Sequence, residues 1–408
     1  MRIPVLTIIF LFIFSFLIDI YISVDVKNRG GKKGVSIYAA TALLCYALLI
    51  VAISLPRRDA DSGIMTVMWL LFTFLSIYAG KLFYVVCSLL GKIWCGIFKE
   101  KKGMIYFQSF GIALGMVIIG IMWIGVGYTR HHIEVTREEF YSKRLPQAFE
   151  GYKIVQLSDI HLGTWGNDTT FISNMVDTVN SLNPDLIVFT GDLVNRLSSE
   201  AKPFINVLSR LKAKDGVYSV LGNHDYGDYV DWADISSKKK NLQQLKDFQK
   251  QMGWKMLNNE NVYLHRDSDS VLLIGVENWG EPPFPQYGDM KKAMEGNQRD
   301  GDLKSGNTFK LLLSHNPEHW NREVSEETNI DLTLAGHTHA MQGMIKIGDW
   351  KWSPAKYRYE QWGGRYDRPN ENGENTSIYV NIGSGEVGMP SRLLAAYPEV
   401  TLITLKKK

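Results

Sequence analysis

The chain has almost no cysteine. Its 408 residues include three, Cys45, Cys87 and Cys95, and none from residue 96 onward. No CxxC spacing occurs, which excludes a cysteine-built zinc site and a thioredoxin-like redox motif. A cysteine-free second half is compatible with an oxidising compartment and equally with a cytosolic one. Excess charge is scarce too. A formal net charge of +3 is too small to draw nucleic acid, and none is expected as a partner. The sequence also lacks internal repeats and low-complexity tracts.

The last scarcity is local. Val35–Leu55 and Met104–Tyr128 hold no charged side chain. With Ile3–Val24 and Ile64–Leu90 they make four apolar windows in the first 130 residues. Each is long enough to cross a hydrocarbon core of ~30 Å as a helix of about 20 residues. The first is too long for a signal-peptide core and has no small-residue cleavage site. Residues 1–129 are therefore expected to be a four-helix transmembrane region of a multi-pass cell-membrane protein, with the lipid bilayer as partner. Two charges fall inside the windows. Asp19 is near a helix end and can reach the interface; Lys81 lies deeper and is expected to snorkel along its own stem.

Loop charge sets an expected orientation. Lys27, Arg29, Lys32 and Lys33 lie in the first loop, and Lys92, Lys99, Lys101 and Lys102 in the third. The other side offers Arg2, Arg57, Arg58 and Arg130. The positive-inside rule places loops one and three in the cytoplasm and the C-terminal domain outside, in an extracytoplasmic position.

Residues 130–150 read as a linker and first strand, and residues 151–408 as one domain. From Gly151, short aliphatic runs alternate with stretches of helical spacing. Lys153–Leu157, Leu186–Thr190, Val217–Leu221, Val271–Val276, Lys310–Leu313 and Leu332–Leu334 read as buried strands, with Tyr379–Ile382 and Val400–Leu405 later. Thr170–Leu182, Pro203–Leu211 and Leu242–Met252 read as helices. The fold class is α/β, with sheets covered by helices.

The chemistry sits where five strands end. Val155–Ser158 leads to Asp159-Ile-His161, and Leu186–Thr190 to Gly191-Asp192. Tyr218–Leu221 leads to Gly222-Asn223-His224-Asp225. Leu311–Ser314 leads to His315, and Leu332–Ala335 to Gly336-His337-Thr-His339. In open α/β sheets the carboxyl edge is where ligands bind. Carboxylate oxygen and imidazole nitrogen without thiolate suit manganese, iron and zinc. Each short motif is weak alone; five in this order, each after a buried strand, are not. His131, His132, His265 and His319 have no motif context and are expected to be non-ligands.

The series DIH, GD, GNHD, SH, GHTH resembles the calcineurin-like metallophosphoesterase signature over Asp159–His339. Leu145–Gly151 and the ending Arg392–Leu405 look like the branch of membrane-associated bacterial phosphoesterases, which includes or lies close to hydrolases of UDP-2,3-diacylglucosamine. The resemblance implies a sandwich of two mixed sheets flanked by helices and two divalent metal ions. It implies Asp159, His161, Asp192 and His339 on one metal, and Asp192, Asn223, His315 and His337 on the other, with Asp192 bridging. It further implies a metal-bridging hydroxide attacking phosphorus, His224 on the phosphoryl group or the leaving oxygen, and Asp225 orienting His224.

Two positions depart from the family pattern. Asn195 stands where protein phosphatases of the superfamily carry an aspartate, which argues against that assignment and weakens support for a charged His224. Ala340 and Met341 follow the last histidine pair where this branch carries glycines. Arg196 is a candidate phosphate clamp, and the rings of Trp350–Tyr366 are candidates for a substrate or lipid-facing lip. The expected function is a membrane-anchored di-metal phosphoester hydrolase acting on a lipid-linked or cell-envelope phosphodiester or pyrophosphate. The alternative is a membrane transport or scaffold protein with a regulatory or inactive phosphoesterase-like domain.

Overall fold

Three apolar runs form long helices, α1 (Val5–Ser54), α2 (Ile64–Phe98) and α3 (Gly103–Gly127), in the computed structural model. The structure describes residues 5–56, 63–100, 102–282, 284–295, 308–369 and 375–408. All three helices are long and apolar enough to cross a membrane. The first two windows both fall in α1. Its backbone breaks at Gly31 (φ 60°, ψ −158°), a conformation that glycine tolerates. Phe12 stacks on Tyr46, and the Tyr38 hydroxyl donates to Asp19 Oδ1 at 2.5 Å. Those pairs meet only because the chain doubles back at the break, so α1 has two antiparallel arms.

The two charges of the apolar windows pair with each other. Lys81 Nζ lies 2.8 Å from Asp19 Oδ1, and Tyr78 Oη donates to Asp19 Oδ2 at 2.5 Å. A buried carboxylate is costly unless paired and hydrogen-bonded, and helix packing here supplies both. Of the residues used for orientation, Arg2, Arg57, Arg58 and Lys101 lie outside the described residues, as do Ile3 and Pro4 of the first window. Arg130 is no loop charge: it is buried and ion-paired with Glu386 at 3.2 Å.

The chain divides into two units: residues 1–127 with 388–391, and residues 128–387 with 392–408. Within the second unit one mixed sheet holds β1 (Glu134–Ser142), β2 (Lys153–Leu157), β3 (Leu186–Phe189), β4 (Val217–Ser219) and β5 (Lys255–Met256). The other holds β6 (Glu260–Arg266), β7 (Asp269–Gly275), β8 (Lys310–Leu313) and β9 (Leu332–Ala335). A small sheet follows with β10 (Gly343–Ile347) and β11 (Trp350–Trp352). The last strands are β12 (Gly364–Pro369), β13 (Asn375–Val380), β14 (Leu393–Leu394) and β15 (Glu399–Lys407). The strand orders are β1-β15-β2-β3-β4-β5, β12-β13-β9-β8-β7-β6 and β11-β10-β14.

Side-chain alternation makes the two large sheets a sandwich. Ile154, Leu186 and Val188 share a core with Leu273, Leu311 and Leu313 of the other sheet. Their neighbours Val155, Ile187 and Phe189 face away, onto α4 (Thr170–Ser181), α5 (Ile205–Leu208) and α6 (Ile235–Gln251). Leu272, Ile274 and Leu312 turn outward onto Met290 and Trp320. Full burial of each such side chain contributes about 1.5–3 kcal/mol. The strand runs β2, β3 and β4 are mutually parallel, as are β7, β8, β9 and β13, so their carboxyl ends share an edge within each sheet.

Residues 130–150 are more than a linker. β1 pairs in parallel with β15 along its whole length, and Leu145 and Phe149 are buried in the inter-sheet core. The start of α6 precedes the expected Leu242. Residues 235–241 lack apolar spacing, and Asp234 caps the helix by accepting from Ser237 N at 2.7 Å.

Candidate metal centre

The strand ends bring the nominated residues together in two groups. Asp159, His161 and His339 form one, and Asp192, His315 and His337 the other. In the first, His339 Nε2 lies 3.0 Å from His161 Nε2 and 3.2 Å from Asp159 Oδ1. In the second, His315 Nε2 lies 3.2 Å from His337 Nδ1, 3.1 Å from Asn223 Oδ1 and 3.2 Å from Asp192 Oδ2. Asp192 Oδ2 also faces His161 Nε2 at 3.6 Å, so one carboxylate oxygen addresses both groups.

Backbone bonds set this geometry. Asp159 N donates to Gly191 O at 2.9 Å, and Gly336 N to His315 O at 2.9 Å. Gln156 Nε2 donates to Thr190 Oγ1 and to Ala335 O, which ties the two sheets beneath the site. Gly222 and Gly336 are required by close approach rather than by a tight turn. A Cβ at Gly222 would meet Asp192 Oδ1 at 2.2 Å, and one at Gly336 would meet Asp159 Oδ2 at 2.2 Å.

The backbone is strained where the ligand candidates sit. Asp159 (φ 52°), His161 (47°), Asp192 (61°), His337 (74°) and His339 (51°) are all left-handed. That region costs a non-glycine residue about 1–2 kcal/mol, and such outliers concentrate at functional sites. Ala340 and Met341 are left-handed as well (φ 48° and 45°). The chain therefore keeps the conformation that glycine would take easily there.

The electrostatics suit cations. Among the described residues, no lysine or arginine lies within ion-pair distance of Asp159 or Asp192; their close partners are imidazoles, the Ser158 hydroxyl on Asp159, and the backbone N–H groups of His337 on Asp159 and His224 on Asp192. Burial holds His161 well below the usual imidazole value and His337 at about 3, which leaves both neutral with a lone pair. Burial opposes protonation of His315 too, but the Asp192 carboxylate outweighs it and lifts that ring to about 9. Facing Nε2 atoms and two carboxylates without a lysine or arginine partner fit divalent ions, which would take the place of the proton on His315, and oxygen and nitrogen without sulfur fit manganese, iron or zinc.

His224 stands beside the first group, its ring 4.8 Å from that of His161. Its orientation differs from expectation. Asp225 does not hold it: the Asp225 carboxylate accepts from the backbone N–H of Asp192, Leu193, Val194 and Gly222 at 2.9–3.2 Å. Burial with Asp192 nearby pushes that carboxyl up to about 7. The Asn195 amide is engaged with Thr164 and with Glu386 O. His224 Nδ1 meets the main-chain carbonyl of Asn195 at 2.7 Å. A backbone acceptor thus does what sequence reasoning assigned to side chains.

Two tyrosines complete the site. Tyr229 stacks on His224 at 4.3 Å and accepts from Asn223 Nδ2 at 2.8 Å. Sequence reading passed over it, although it lies six residues after Asn223 in the same glycine-bounded loop. Tyr359 Oη meets His337 Nε2 at 3.0 Å. It came from the aromatic stretch flagged as a lip, whereas Trp362 in that stretch packs with Ala340 in a small core. Arg196 is buried rather than a surface arginine. His319 is a core histidine, 2.9 Å from Ser314 Oγ and 3.3 Å from Glu323.

Comparison with known proteins follows this division. Residues 152–341 match the family described as calcineurin-like phosphoesterase, and residues 1–129 match the one described as probable calcineurin-like phosphoesterase, transmembrane domain. The chain is 30% identical over 312 residues to a transmembrane protein with metallophosphoesterase domain of Danio rerio, an alignment covering 72% of this chain and 62% of that protein. It is 30% identical over 291 residues to the uncharacterized metallophosphoesterase YkuE of Bacillus subtilis, covering 69% and 90%. Identity to the UDP-2,3-diacylglucosamine pyrophosphatase LpxG of Chlamydia muridarum is 27% over 285 residues, covering 59% and 80%. The chain thus spans less than two thirds of the Danio rerio protein.

Proposed function

We infer the activity from one premise: the chain belongs to the calcineurin-like metallophosphoesterase family. It is a membrane-anchored, metal-dependent phosphoester hydrolase. The observation that carries the reading is Asp192 Oδ2, turned at once toward His161 and His315 at the seam of two ligand groups. Asp159, His161, Asp192 and His339 would hold one divalent cation, and Asp192, Asn223, His315 and His337 the other. When bound, two such ions supply Lewis acidity at phosphoryl oxygens and a nucleophile from water at neutral pH.

The chain's own residues supply the rest. With Nδ1 donating to the Asn195 carbonyl, His224 turns Nε2 toward the groups. Burial holds its pKa below the usual imidazole value, so the free ring is neutral, and the negative charge of a bound phosphoryl group would favour the imidazolium that donates to a phosphoryl or leaving oxygen. The Asn195 carbonyl opposes the effect of burial without reversing it, and it does so through the main chain, independently of the side chain at that position. Tyr229 holds the ring in place, and Asp225 acts as a positioning residue by gathering the backbone around Asp192. The substrate is a lipid-linked or cell-envelope phosphodiester or pyrophosphate. Its support is the membrane unit together with the likeness to a relative named for UDP-2,3-diacylglucosamine. Four membrane crossings, counting the arms of α1 separately, would put the catalytic unit on the same side as the N-terminus, and with the lysine-rich loops one and three in the cytoplasm that side would be outside.

The test uses the full chain in detergent, with manganese as the probe metal. Bound metal is counted, and p-nitrophenyl phosphate and bis-p-nitrophenyl phosphate are assayed, beside Asp192→Ala. The wild type should bind two ions and hydrolyse the diester. Asp192→Ala should lose at least one ion and about 10³-fold in rate, the scale of losing electrostatic stabilisation at a reacting centre. A wild type without metal and without turnover would sink the hydrolase reading.

A further inference from the structure

The two ligand groups differ in what backs them. Each imidazole or amide that offers one atom to an ion has a second polar atom with needs of its own. In the first group, His161 Nδ1 and His339 Nδ1 are buried without a hydrogen-bond partner. In the second, His315 Nδ1 meets the main-chain carbonyl of Thr190 at 2.8 Å. The other two side chains of that group are met by hydroxyls. Tyr229 Oη lies 2.8 Å from Asn223 Nδ2, and Tyr359 Oη lies 3.0 Å from His337 Nε2. Neither tyrosine belongs to the five strand-end motifs.

Those hydroxyls bear on which atom faces the ion. An amide nitrogen only donates. Tyr229 Oη therefore accepts from Asn223 and leaves Asn223 Oδ1 toward the group, 3.1 Å from His315 Nε2. A neutral imidazole carries one hydrogen. With Tyr359 Oη accepting it at Nε2, His337 Nδ1 keeps its lone pair, 3.2 Å from His315 Nε2. Such a partner fixes the tautomer and the ring angle of a ligating histidine. Tyr359 is itself braced on the loop it serves. Ser353 Oγ donates to Ala340 O at 2.6 Å, and Thr338 Oγ1 donates to Trp362 O at 2.6 Å. Bonds on either side of Tyr359 thus tie its segment to residues 338–340.

We propose that Tyr229 and Tyr359 are positioning residues of the second cation site, selecting Oδ1 of Asn223 and Nδ1 of His337 as the atoms that face the ion. The first group has no such hydroxyls, so only the second ion depends on them. This rests on the two-ion reading above, and its test reads metal binding rather than turnover.

Full-length protein in detergent is stripped by dialysis against a chelator and titrated calorimetrically with manganese, as wild type, Tyr229→Phe, Tyr359→Phe and Tyr366→Phe. Phenylalanine keeps each ring and its packing on His224 or His337 and removes only the hydroxyl. Tyr366 lies in the same aromatic stretch as Tyr359 but accepts from Trp362 N at 3.3 Å, so it reports what losing a hydroxyl does to the segment alone. Tyr229→Phe and Tyr359→Phe should each weaken one manganese by about 10- to 100-fold, the range for losing a hydrogen-bond partner of a ligand. The other ion, and both ions of Tyr366→Phe, should keep wild-type affinity. At a manganese level between the two affinities, the paramagnetic resonance spectrum of either variant should change from that of a spin-coupled pair to that of an isolated ion. Two ions held at wild-type affinity in either variant overturn the proposal. Equal weakening of both ions overturns it as well, as does the same loss in Tyr366→Phe. A wild type that binds fewer than two ions overturns the two-ion reading, and the proposal with it.

Discussion

Both units bury carboxylates, and they treat them in opposite ways. In the helical unit Asp19 receives Lys81 Nζ, Tyr38 Oη and Tyr78 Oη, so its counter-charge is part of the chain. Asp25 is met by Tyr84 Oη, Gln108 Nε2 and Ser88 Oγ, all neutral donors. In the globular unit Asp159 and Asp192 face imidazoles, and His161 Nδ1 and His339 Nδ1 are buried without a hydrogen-bond partner. A network satisfied from within holds helices together. One that leaves negative charge and lone pairs converging is built for something that arrives. The difference speaks for a tether in the first unit and a catalytic centre in the second. It weighs against a transport pathway, which would need the openness in the membrane.

The largest expected effect tests the open side. His224→Ala should lower diester hydrolysis by about 10²–10⁴-fold, the range for a general acid or base, while bound manganese stays at the wild-type count. Loss of metal along with rate would make His224 part of the ion site and blur the distinction. On the closed side, Asp19→Ala leaves Lys81 buried without its partner and should cost about 3–5 kcal/mol in the thermal unfolding of the helical unit. Asp19→Asn combined with Lys81→Met should recover much of that, because the charge leaves both sides. Metal count and turnover should not move in either variant. A change in turnover would mean that the network is coupled to the centre, and the comparison would fail.

How much of this was legible depended on the kind of signal. Ligand candidates were readable because each follows a short aliphatic strand, and Lys153–Leu157 and Lys310–Leu313 match β2 and β8 residue for residue. The sandwich core followed from alternation, as with Ile154 against Val155. Partner choice was not readable. Nothing local says that Asp19 meets Lys81 across helices, or that His224 turns to a main-chain carbonyl rather than to Asp225. Both are settled by packing of segments far apart in the chain. Strands β10 and β11 were hidden because Gly343–Trp352 alternates apolar residues with lysines, a pattern overshadowed by its aromatics.

The smallest effect concerns a third kind of carboxylate, one only partly buried at its surface. Glu200 accepts from Asn195 N at 2.6 Å and from Arg196 N at 3.2 Å, and so shapes the loop that offers its carbonyl to His224. Burial raises its pKa to about 7, against the pull of those N–H groups and of Arg196. The folded value thus lies above the unfolded one of 4.5. Folding takes up a proton between the two values, so the stability that protonated Glu200 contributes is fully present below pH 4.5 and is lost as pH rises through 7. Glu200→Gln keeps an oxygen for the same N–H groups and cannot ionise. The difference in thermal stability between variant and wild type should therefore shift in the variant's favour from pH 5 to pH 8, by up to about 3 kcal/mol. A difference that stays flat over this window would show that Glu200 is charged throughout it. The contrast between the units would then rest on the metal centre alone.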